Sequence, residues 1–363
     1  MPLFSYKNIK VSGVAAAIPT ECVSVDSFAE QNGEETIEKF KAMTGIKEFH
    51  RALQHQTASD FGFAAAERIL NEKIIDRETI GALVFVAHST DYRRPATACV
   101  LHHRLGLSKN CAAFDISLGC SAIVYGLQAV CSMMETSDIE KALLIVGETM
   151  TKMTSPKDRS VNMLFGDGGA AFLLEKDNSW KEEIKISLKT DGNGYSTIIA
   201  PAGGFRNMYA SREESEWSDG NIRSLHNVFM NGTDVFTFSI TDVPKTIKEF
   251  LEKTGTTVDD YDCFAFHQAN QYILKQISKK TKIPFDKMPL CLDRYGNTSA
   301  PAAAMALCDA YGMVSDEKIK TMFCCFGVGL SWGVASVSLN ATDIYPIFET
   351  NEVFEQGFID KPL

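Results

Sequence analysis

The sequence contains no apolar run that approaches the roughly 20 residues needed to cross a bilayer. Its first residues, MPLFSYKNIKVSG, also lack the basic start, the long apolar stretch and the small-residue cleavage site of a secretory signal peptide. We therefore expect a cytoplasmic protein without a membrane span.

The ten cysteines include no C-x-x-C pair, and no group of His, Cys, Asp and Glu residues has the spacing of metal ligands. In a chain of 363 residues without a secretion signal, such scattered cysteines are expected to be reduced thiols. Most of them should pack as small apolar residues. We expect neither a metal nor an organic cofactor.

Features of phosphate and nucleic-acid binding are also missing. The formal net charge of −10 argues against general nucleic-acid binding, although a local basic patch could still attract an acidic protein. The glycine-rich segment 166–171 lacks the Lys-Ser/Thr pair of a phosphate loop and runs into the apolar residues 172–174, which predict a strand.

What the chain does contain is an alternation of buried strands and helices. Residues 82–87 and 142–146 are short, continuous apolar runs, which are typical of strands covered on both faces. Helical patterns follow at 121–134 and 270–280. The alternation predicts an α/β protein with a largely parallel sheet, and the length predicts two packed units.

Three segments recur in the same order in both halves of the chain. His88 ends a strand pattern that is repeated at His267, Cys120 matches Asn297, and Gly147 matches Gly327, at offsets of 179, 177 and 180 positions. The near-constant offset predicts two related halves, 1–178 and 179–363. Residues 191–233 are predicted to form surface loops rather than core, and the acidic tail 341–363 is predicted to pack on the surface.

Cys120 is the first candidate for chemistry. It follows a predicted buried strand and Gly119, and it precedes a helix that begins at Ser121. The amino terminus of a helix lowers the pKa of a nearby thiol and so favours the nucleophilic thiolate. The alternative is a buried structural cysteine.

His267 and Asn297 are the next candidates. His267 stands between a predicted strand and a helix, a position suited to acid–base work or to donating a hydrogen bond to a carbonyl. Asn297, in Gly296-Asn297-Thr298-Ser299, has the local pattern of a turn or helix cap. Taken singly, each residue also fits a purely structural role.

Taken together, four motifs resemble those of the β-ketoacyl-acyl-carrier-protein synthase III family. They are Gly119-Cys120, His267 to Asn270, Gly296 to Ser299, and the glycine-spaced segment Phe326 to Gly333. The resemblance covers roughly residues 5 to 340. It implies the thiolase fold, a five-layered αβαβα structure built from two similar halves, and a homodimer.

The resemblance also implies a mechanism. Cys120 would accept an acyl group from a primer thioester, carried by coenzyme A or a carrier protein. His267 and Asn297 would hydrogen-bond the thioester carbonyl of a malonyl extender while it loses carbon dioxide. The resulting carbanion would attack acyl-Cys120 to give a β-ketoacyl thioester, with the backbone N–H groups of Cys120 and Val328 as oxyanion hole. Further residues are then expected at the substrate: Arg94, Phe326 and Asn270.

Several positions depart from the family pattern. Lys39 and Met43 replace a tryptophan and an arginine that hold the coenzyme A nucleotide, and Arg94 replaces an aromatic residue of the dimer-contact loop. These changes favour a primer other than acetyl-coenzyme A. Cys325 lies near the place of a second thiolase cysteine, and we interpret it as structural.

An acidic acyl carrier protein is the expected partner. The predicted helix after His267 places basic residues on one face, and the docking residues we expect are Lys275, Lys279 and Lys280, with Lys282 beside them. A merely solvated surface is the alternative.

Two other functions remain open at this point. One is an acyltransferase of the same fold that moves the acyl group from Cys120 to an alcohol or amine. The other is a non-catalytic partner subunit. Asn297 favours condensation, because simple acyl transfer has no enolate to stabilise.

Overall fold

The computed structural model describes residues 1–312 and 317–359. Its strands, in chain order, are β1 Phe4–Tyr6, β2 Ile9–Pro19, β3 Glu21–Ser24, β4 Glu48–Arg51, β5 Ile80–Val86, β6 Ala112–Ile116, β7 Lys141–Thr149, β8 Asp167–Lys176, β9 Ile184–Thr190, β10 Ile198–Ile199, β11 Ser215–Glu216, β12 Ile222–Arg223, β13 Phe229–Met230, β14 Cys263–Phe266, β15 Lys318–Gly327, β16 Ser331–Asn340 and β17 Phe348–Thr350.

The helices are α1 Ala29–Asn32, α2 Glu34–Thr44, α3 Ala58–Glu72, α4 Thr97–Arg104, α5 Ala122–Glu135, α6 Gly232–Thr254, α7 Gln271–Thr281, α8 Leu292–Tyr295 and α9 Ala302–Tyr311. The two predicted helices, 121–134 and 270–280, correspond to α5 and α7 with bounds shifted by one residue. Within the described ranges, no helix is long and apolar enough to cross a membrane.

Two central sheets carry the fold. The first has six strands in the order β17-β2-β8-β7-β5-β6, and the second has five in the order β1-β9-β16-β15-β14. Four consecutive strands of the first sheet, β2-β8-β7-β5, correspond to β9-β16-β15-β14 of the second. Corresponding pairs also run in the same relative directions, antiparallel, antiparallel and parallel. The predicted internal duplication is therefore confirmed.

Both sheets are mixed. Three of the five pairings in the first sheet and one of the four in the second are parallel, so the prediction of a largely parallel sheet holds for the first sheet and is wrong for the second. β7 and β8 are antiparallel neighbours, as are β15 and β16. The loop 328–330 between β15 and β16 is short, and a direct short connection permits only antiparallel pairing, whereas the longer segment 150–166 joins β7 and β8. A parallel pair requires a crossover, such as the one that contains α4 between β5 and β6.

Five layers result from the way the helices cover the two sheets. α5 and α9 lie between the sheets and contact strands of both. α3 and α4 cover the outer face of the first sheet, and α6 covers that of the second with α7 packed against it. α9 is rich in alanine and buried on nearly all sides, as expected for a helix enclosed by two sheets. The predicted five-layered αβαβα arrangement is confirmed.

Residues 191–233 differ from the prediction of surface loops outside the core. They form short strand pairs, β10 with β13 and β11 with β12. Ile198 and Val228 from this segment are buried in the hydrophobic cluster on the outer face of the second sheet. Interspersed apolar residues thus anchor a segment whose composition is mostly polar.

The chain termini cross between the halves. β1 pairs with β9 in the second sheet, whereas β17, in the tail, pairs with β2 in the first. The tail therefore contributes an edge strand instead of only lying on the surface, and residues 360–363 are outside the described part. The division into 1–178 and 179–363 stays a prediction.

Candidate active site

Cys120 lies in the turn between β6 and α5, as predicted, and is 7% exposed. Two glycines make room for it. A Cβ on Gly327 would stand 2.8 Å from the Cys120 Sγ, and a Cβ on Gly119 would stand 2.8 Å from Cδ2 of His88. Side chains at these positions would collide with the thiol or with its surroundings, which accounts for glycine at both.

The pKa of the Cys120 thiol differs from the sequence-based prediction. Burial raises this pKa above its ordinary value, and the nearby Glu148 carboxylate acts in the same direction. The Ser299 hydroxyl and the backbone N–H groups of Val328 and Cys120 oppose that effect. The predicted lowering is wrong for the free protein because the thiol is enclosed before α5 begins, and desolvation outweighs the helix terminus.

His267 directly follows β14 and is 3% exposed. Burial lowers the pKa of its imidazole to about 4, while the backbone of Ser299 acts against the shift. The ring packs edge-on against Phe326, at 5.4 Å between ring centroids, and its Nδ1 has no hydrogen-bond partner among the described residues. At neutral pH His267 is uncharged, so it can donate or accept a hydrogen bond.

Asn297 is held by backbone on both sides. Its N–H donates to the Leu164 carbonyl at 2.9 Å, and its carbonyl accepts the Gly166 N–H at 3.2 Å. The side-chain Oδ1 accepts the Ser299 N–H at 3.0 Å. This is the turn pattern that the sequence indicates, and it leaves Nδ2 as the donor available to the cavity that Asn297 lines.

Ser299 connects these residues, although sequence reasoning gave it no role of its own. Its Oγ lies 3.4 Å from the Cys120 Sγ, its N–H binds Asn297, and its backbone influences His267. Its φ of +59° is in the left-handed region, which is uncommon for a residue with a side chain. No sequence pattern announces that conformation.

Cys120, His267 and Asn297 all line one cavity of about 1070 Å³. Apolar side chains form most of its wall, and the wall also includes part of the segment 191–233. They are contributed by Phe40, Met43, Met150, Met153, Leu164, Phe165, Ile198, Ile199, Val228, Met230, Val235, Phe236, Ile273 and Phe326. A cavity of this size and lining can hold an apolar chain next to the thiol.

The family model for 3-oxoacyl-[acyl-carrier-protein] synthase III matches the sequence at residues 114–192, and the family model for its C-terminal part matches at residues 251–339. A putative 3-oxoacyl-[acyl-carrier-protein] synthase 3 of Campylobacter jejuni is 32% identical over 346 residues, which cover 94% of this chain and 96% of the relative. The chain belongs to the 3-oxoacyl-acyl-carrier-protein synthase III family. It is thus a condensing enzyme of the acyltransferase class.

Other relatives agree in sequence and in structure. A β-ketoacyl-[acyl-carrier-protein] synthase III of Caldanaerobacter subterraneus is 37% identical over 291 residues, covering 80% of this chain and 85% of the relative. The crystal structure of a 3-oxoacyl-(acyl-carrier protein) synthase from Burkholderia xenovorans superimposes with a TM-score of 0.89 at 32% identity. It covers 96% of this chain and 99% of that one. The resemblance stated from the motifs is confirmed.

The loop between β15 and β16 brings Val328 to the thiol. The backbone N–H of Val328, like that of Cys120 itself, acts to lower the pKa of Cys120, which places both groups near Sγ. The Ser331 Oγ donates to the Val328 carbonyl at 2.7 Å and pairs with the Ser121 Oγ at 2.7 Å. These bonds tie the loop to the start of α5.

Three further residues were expected at the substrate, and only two of them line the cavity. Phe326 and Asn270 do so, and Asn270 also caps α7, its Oδ1 accepting the Ile273 N–H at 2.8 Å. Arg94 is exposed in the loop after β5 and is outside the cavity lining of the single chain. Its substrate role stays a prediction.

The mouth of the cavity is mainly apolar. Met43 lines it with 56% of its surface exposed, and Tyr272 stacks on Phe236 at 5.7 Å between ring centroids. Lys39 points elsewhere and pairs with Glu35. Arg159 is the permanently charged side chain among the described lining residues, and sequence reasoning missed it because it lies outside every recognised motif.

The remaining candidates do not line the cavity. Cys325 is buried in the core cluster between the two sheets, and burial raises the pKa of its thiol. Lys275, Lys279 and Lys280 are exposed along α7, and Lys282 ends that helix. Within residues 1–312 and 317–359, no group of three or more His, Cys, Asp or Glu side chains could hold a metal ion.

Proposed function

We propose that Cys120 is the acyl-accepting nucleophile of this condensing enzyme and that His267 and Asn297 stabilise the enolate of the extender. The observation that carries the assignment is the convergence of all three side chains on one cavity, linked through Ser299. The cavity is wide enough for a substrate to reach all three.

The first half-reaction transfers the primer. The Cys120 sulfur attacks the thioester carbonyl, the bond to the carrier sulfur breaks, and the carrier leaves as a thiol. The N–H groups of Cys120 and Val328 then hold the acyl oxygen of acyl-Cys120, a role supported by their effect on the Cys120 thiol. Ordered backbone donors need no reorganisation as charge develops on that oxygen.

The second half-reaction consumes a malonyl thioester. Its carboxylate leaves as carbon dioxide, and the electron pair moves onto the thioester carbonyl. Neutral His267 and the Nδ2 group of Asn297 donate hydrogen bonds to that oxygen, where negative charge grows. The carbanion attacks acyl-Cys120, a carbon–carbon bond forms and the bond to sulfur breaks, and the cysteine leaves as a thiolate that takes a proton from the solvent.

This assignment is favoured over the two alternatives. Acyl transfer to an alcohol or amine forms no enolate, and it would leave the fixed Asn297 amide without a purpose. A non-catalytic partner subunit would need neither the space that Gly327 leaves for the thiol nor the donors around it. Condensation uses the Cys120 thiol, the His267 imidazole and the Asn297 amide together.

The primer is proposed to be an acyl group with more apolar surface than acetyl, delivered by a carrier protein or by coenzyme A. The apolar lining and the volume of about 1070 Å³ support a longer chain. Met43, Tyr272 and Phe236 at the mouth offer little to the phosphates of a nucleotide, and Arg159 is the permanently charged side chain among the described lining residues that could bind one. This favours the carrier-bound form.

An acidic carrier protein is proposed to dock on the lysines of α7. Lys275, Lys279 and Lys280 are exposed on a helix whose first turn lines the cavity, so a carrier bound there would lie beside the entrance. A homodimer and a cytoplasmic location complete the proposal, as expected from the family resemblance.

Mass spectrometry of the intact protein tests the assignment. The parent is incubated with a panel of acyl-carrier and acyl-coenzyme A thioesters, and we expect a single acyl adduct on the peptide that contains Cys120. Cys120→Ser should fold normally, as judged by its thermal transition, and should lose both the adduct and condensation. Acylation of Cys120→Ser at the parent rate would overturn the assignment.

A further inference from the structure

A second histidine stands beside the nucleophile. His88 directly follows β5, the strand that corresponds to β14, so its position mirrors that of His267 in the other half of the molecule. It lines the same cavity as Cys120 and is exposed to solvent in the chain described here. The mechanism above gives it no task.

The His88 ring is fixed by its neighbours. Its Nδ1 lies 3.4 Å from the Ser117 Oγ, and its backbone N–H donates to Glu148 Oε1 at 2.8 Å. The carboxylate of Glu148 is fully buried and also accepts the N–H and hydroxyl of Ser89. With Nδ1 facing Ser117, the opposite nitrogen, Nε2, faces Gly119.

His88 and Ser299 both lie beside Gly119, the residue before the nucleophile. A Cβ on Gly119 would stand 3.3 Å from Nε2 of His88 and 3.2 Å from the Ser299 Oγ. The same Ser299 Oγ is 3.4 Å from the Cys120 Sγ. The Ser299 hydroxyl can donate and accept a hydrogen bond at once. It lies next to the Cys120 thiol and on the same side of Gly119 as the His88 imidazole.

Acylation requires that the thiol lose its proton inside a buried site. Burial disfavours the Cys120 thiolate, and burial also makes His267 a weak proton acceptor. His88, in contrast, is open to solvent and to a leaving thiol that enters through the cavity. An efficient acid–base catalyst must be able both to accept and to release the proton near neutral pH.

We propose that His88 receives the Cys120 proton through the Ser299 hydroxyl during acylation and passes it to the departing thiol of the primer carrier. The Sγ–H proton moves to Ser299, whose own proton passes through solvent in the cavity to Nε2 of His88. The thiolate forms the new carbon–sulfur bond, the bond to the carrier sulfur breaks, and the carrier thiolate takes the proton from His88. Ionisable groups near His88 include Glu148 in β7, Cys120 after β6 and His267 after β14. This role rests on the proposed function.

His88→Gln tests the role, because glutamine keeps a polar side chain of similar reach but cannot accept a proton near neutral pH. We expect single-turnover acylation of Cys120 to slow by about 10²-fold. Decarboxylation of a malonyl thioester by the same variant should stay at the parent rate. His103→Gln, which changes an exposed histidine on α4, is the matched control and should leave both half-reactions unchanged.

A second measurement does not depend on any acyl substrate. Alkylation of Cys120 by iodoacetamide at neutral pH, followed on the Cys120 peptide, should slow by about tenfold in His88→Gln because the thiolate is the reacting form. Added imidazole should restore part of the acylation rate in His88→Ala. Two results together would support the role of His88 and refute the proposed function. They are slower alkylation in His88→Gln and a parent protein that no thioester acylates.

If His88→Gln were acylated and alkylated as fast as the parent, the inference would be overturned. It would also be overturned if the variant slowed only with primers that carry a polar substituent. That result would make His88 a residue that binds the acyl chain instead of one that carries the proton.

Discussion

The Ser299 Oγ lies 3.4 Å from the Cys120 Sγ, and Ser299 reaches that position with a left-handed backbone φ of +59°. Such a conformation costs on the order of 1 kcal/mol for a non-glycine residue and persists only where the surroundings impose it. Here the Asn297 side chain imposes it by accepting the Ser299 N–H. The residue proposed to hold the extender is therefore also the residue that positions the hydroxyl beside Cys120.

Asn297→Ala should damage the two half-reactions unequally. Loss of the Nδ2 donor should slow decarboxylation of a malonyl thioester by ~10²–10³-fold, the usual effect of removing one oxyanion donor. Acylation of Cys120 should fall much less, and only through the freed Ser299. Both rates are measured separately, by carbon dioxide release and by intact mass. Equal loss in both would reduce Asn297 to a structural turn residue.

Gly327→Ala should disable the nucleophile by crowding. The added methyl would stand 2.5 Å from the Cβ and 2.8 Å from the Sγ of Cys120, so one of the two segments must move. We expect acylation to be lost and the free energy of unfolding to fall by about 1–3 kcal/mol, as for other overpacked sites. Gly192→Ala, where a Cβ would meet nothing within 4 Å, is the matched control. Parent activity in Gly327→Ala would contradict this geometry.

The stability of the protein should depend on His267 in acid. Its pKa is about 4 in the folded protein, below the ordinary value near 6.5, so the unfolded chain binds the proton first. The contribution of neutral His267 is complete above pH ~6.5 and is lost as the pH falls towards 4, by on the order of 3 kcal/mol. Urea unfolding measures it as the difference between the parent and His267→Gln, taken at pH 7 and at pH 4.

The comparison with a variant is needed because the contribution of Asp167 to the stability of the parent changes with pH in the opposite direction. Burial raises the pKa of Asp167 to about 6, so its contribution is greatest at low pH and is lost as the pH rises through that value. The two effects oppose each other between about pH 4 and 6 in the parent. A difference between parent and His267→Gln that does not change with pH would contradict the neutral, buried state of His267.

Charge reversal on α7 should weaken the encounter with the carrier protein. Lys279→Glu with Lys280→Glu should raise the apparent KM for a carrier-bound substrate by about tenfold at low salt, and the effect should shrink as salt is added. Turnover of a small thioester analogue should not change. Lys109→Glu with Lys181→Glu, two exposed lysines outside the cavity lining, is the charge-matched control. Equal KM values for both double variants would assign the α7 lysines to solvent.

The duplicated strand ends were the part of the site that the sequence could predict. Cys120 and His267 each follow a strand and Asn297 follows the short helix α8, and the shared offset places Cys120 and Asn297 in corresponding parts of the two halves. The carboxyl ends of such strands meet at one edge, so a common cavity follows from the pattern. The same pattern contained His88, but an unremarkable histidine at a strand end is recognised only when its neighbours in space are known.

Other features depend on long-range packing that no local pattern encodes. The segment 191–233 is polar on average, yet a few spaced residues such as Ile198 and Val228 fold inwards and wall the cavity. The pKa of Cys120 depends on how completely the other half covers it, and burial reverses the direction expected from the helix alone. β15 and β16 are antiparallel because the loop 328–330 between them is short, and this length was visible in the sequence but was outweighed by the helix–strand alternation.

The crossing of the two chain ends makes the tail a protective element. Parallel pairing with β17 covers the Ala17–Pro19 end of β2, a strand that would otherwise present free N–H and C=O groups at the border of the first sheet. Beyond β17, the Phe354 N–H donates a hydrogen bond to Oδ1 of the buried Asp60, which holds the tail against the first half. A chain shortened after Asn340 would keep Cys120, His267 and Asn297 but would expose the unpaired edge of β2. We expect such a chain to self-associate in solution and not to lose its chemistry.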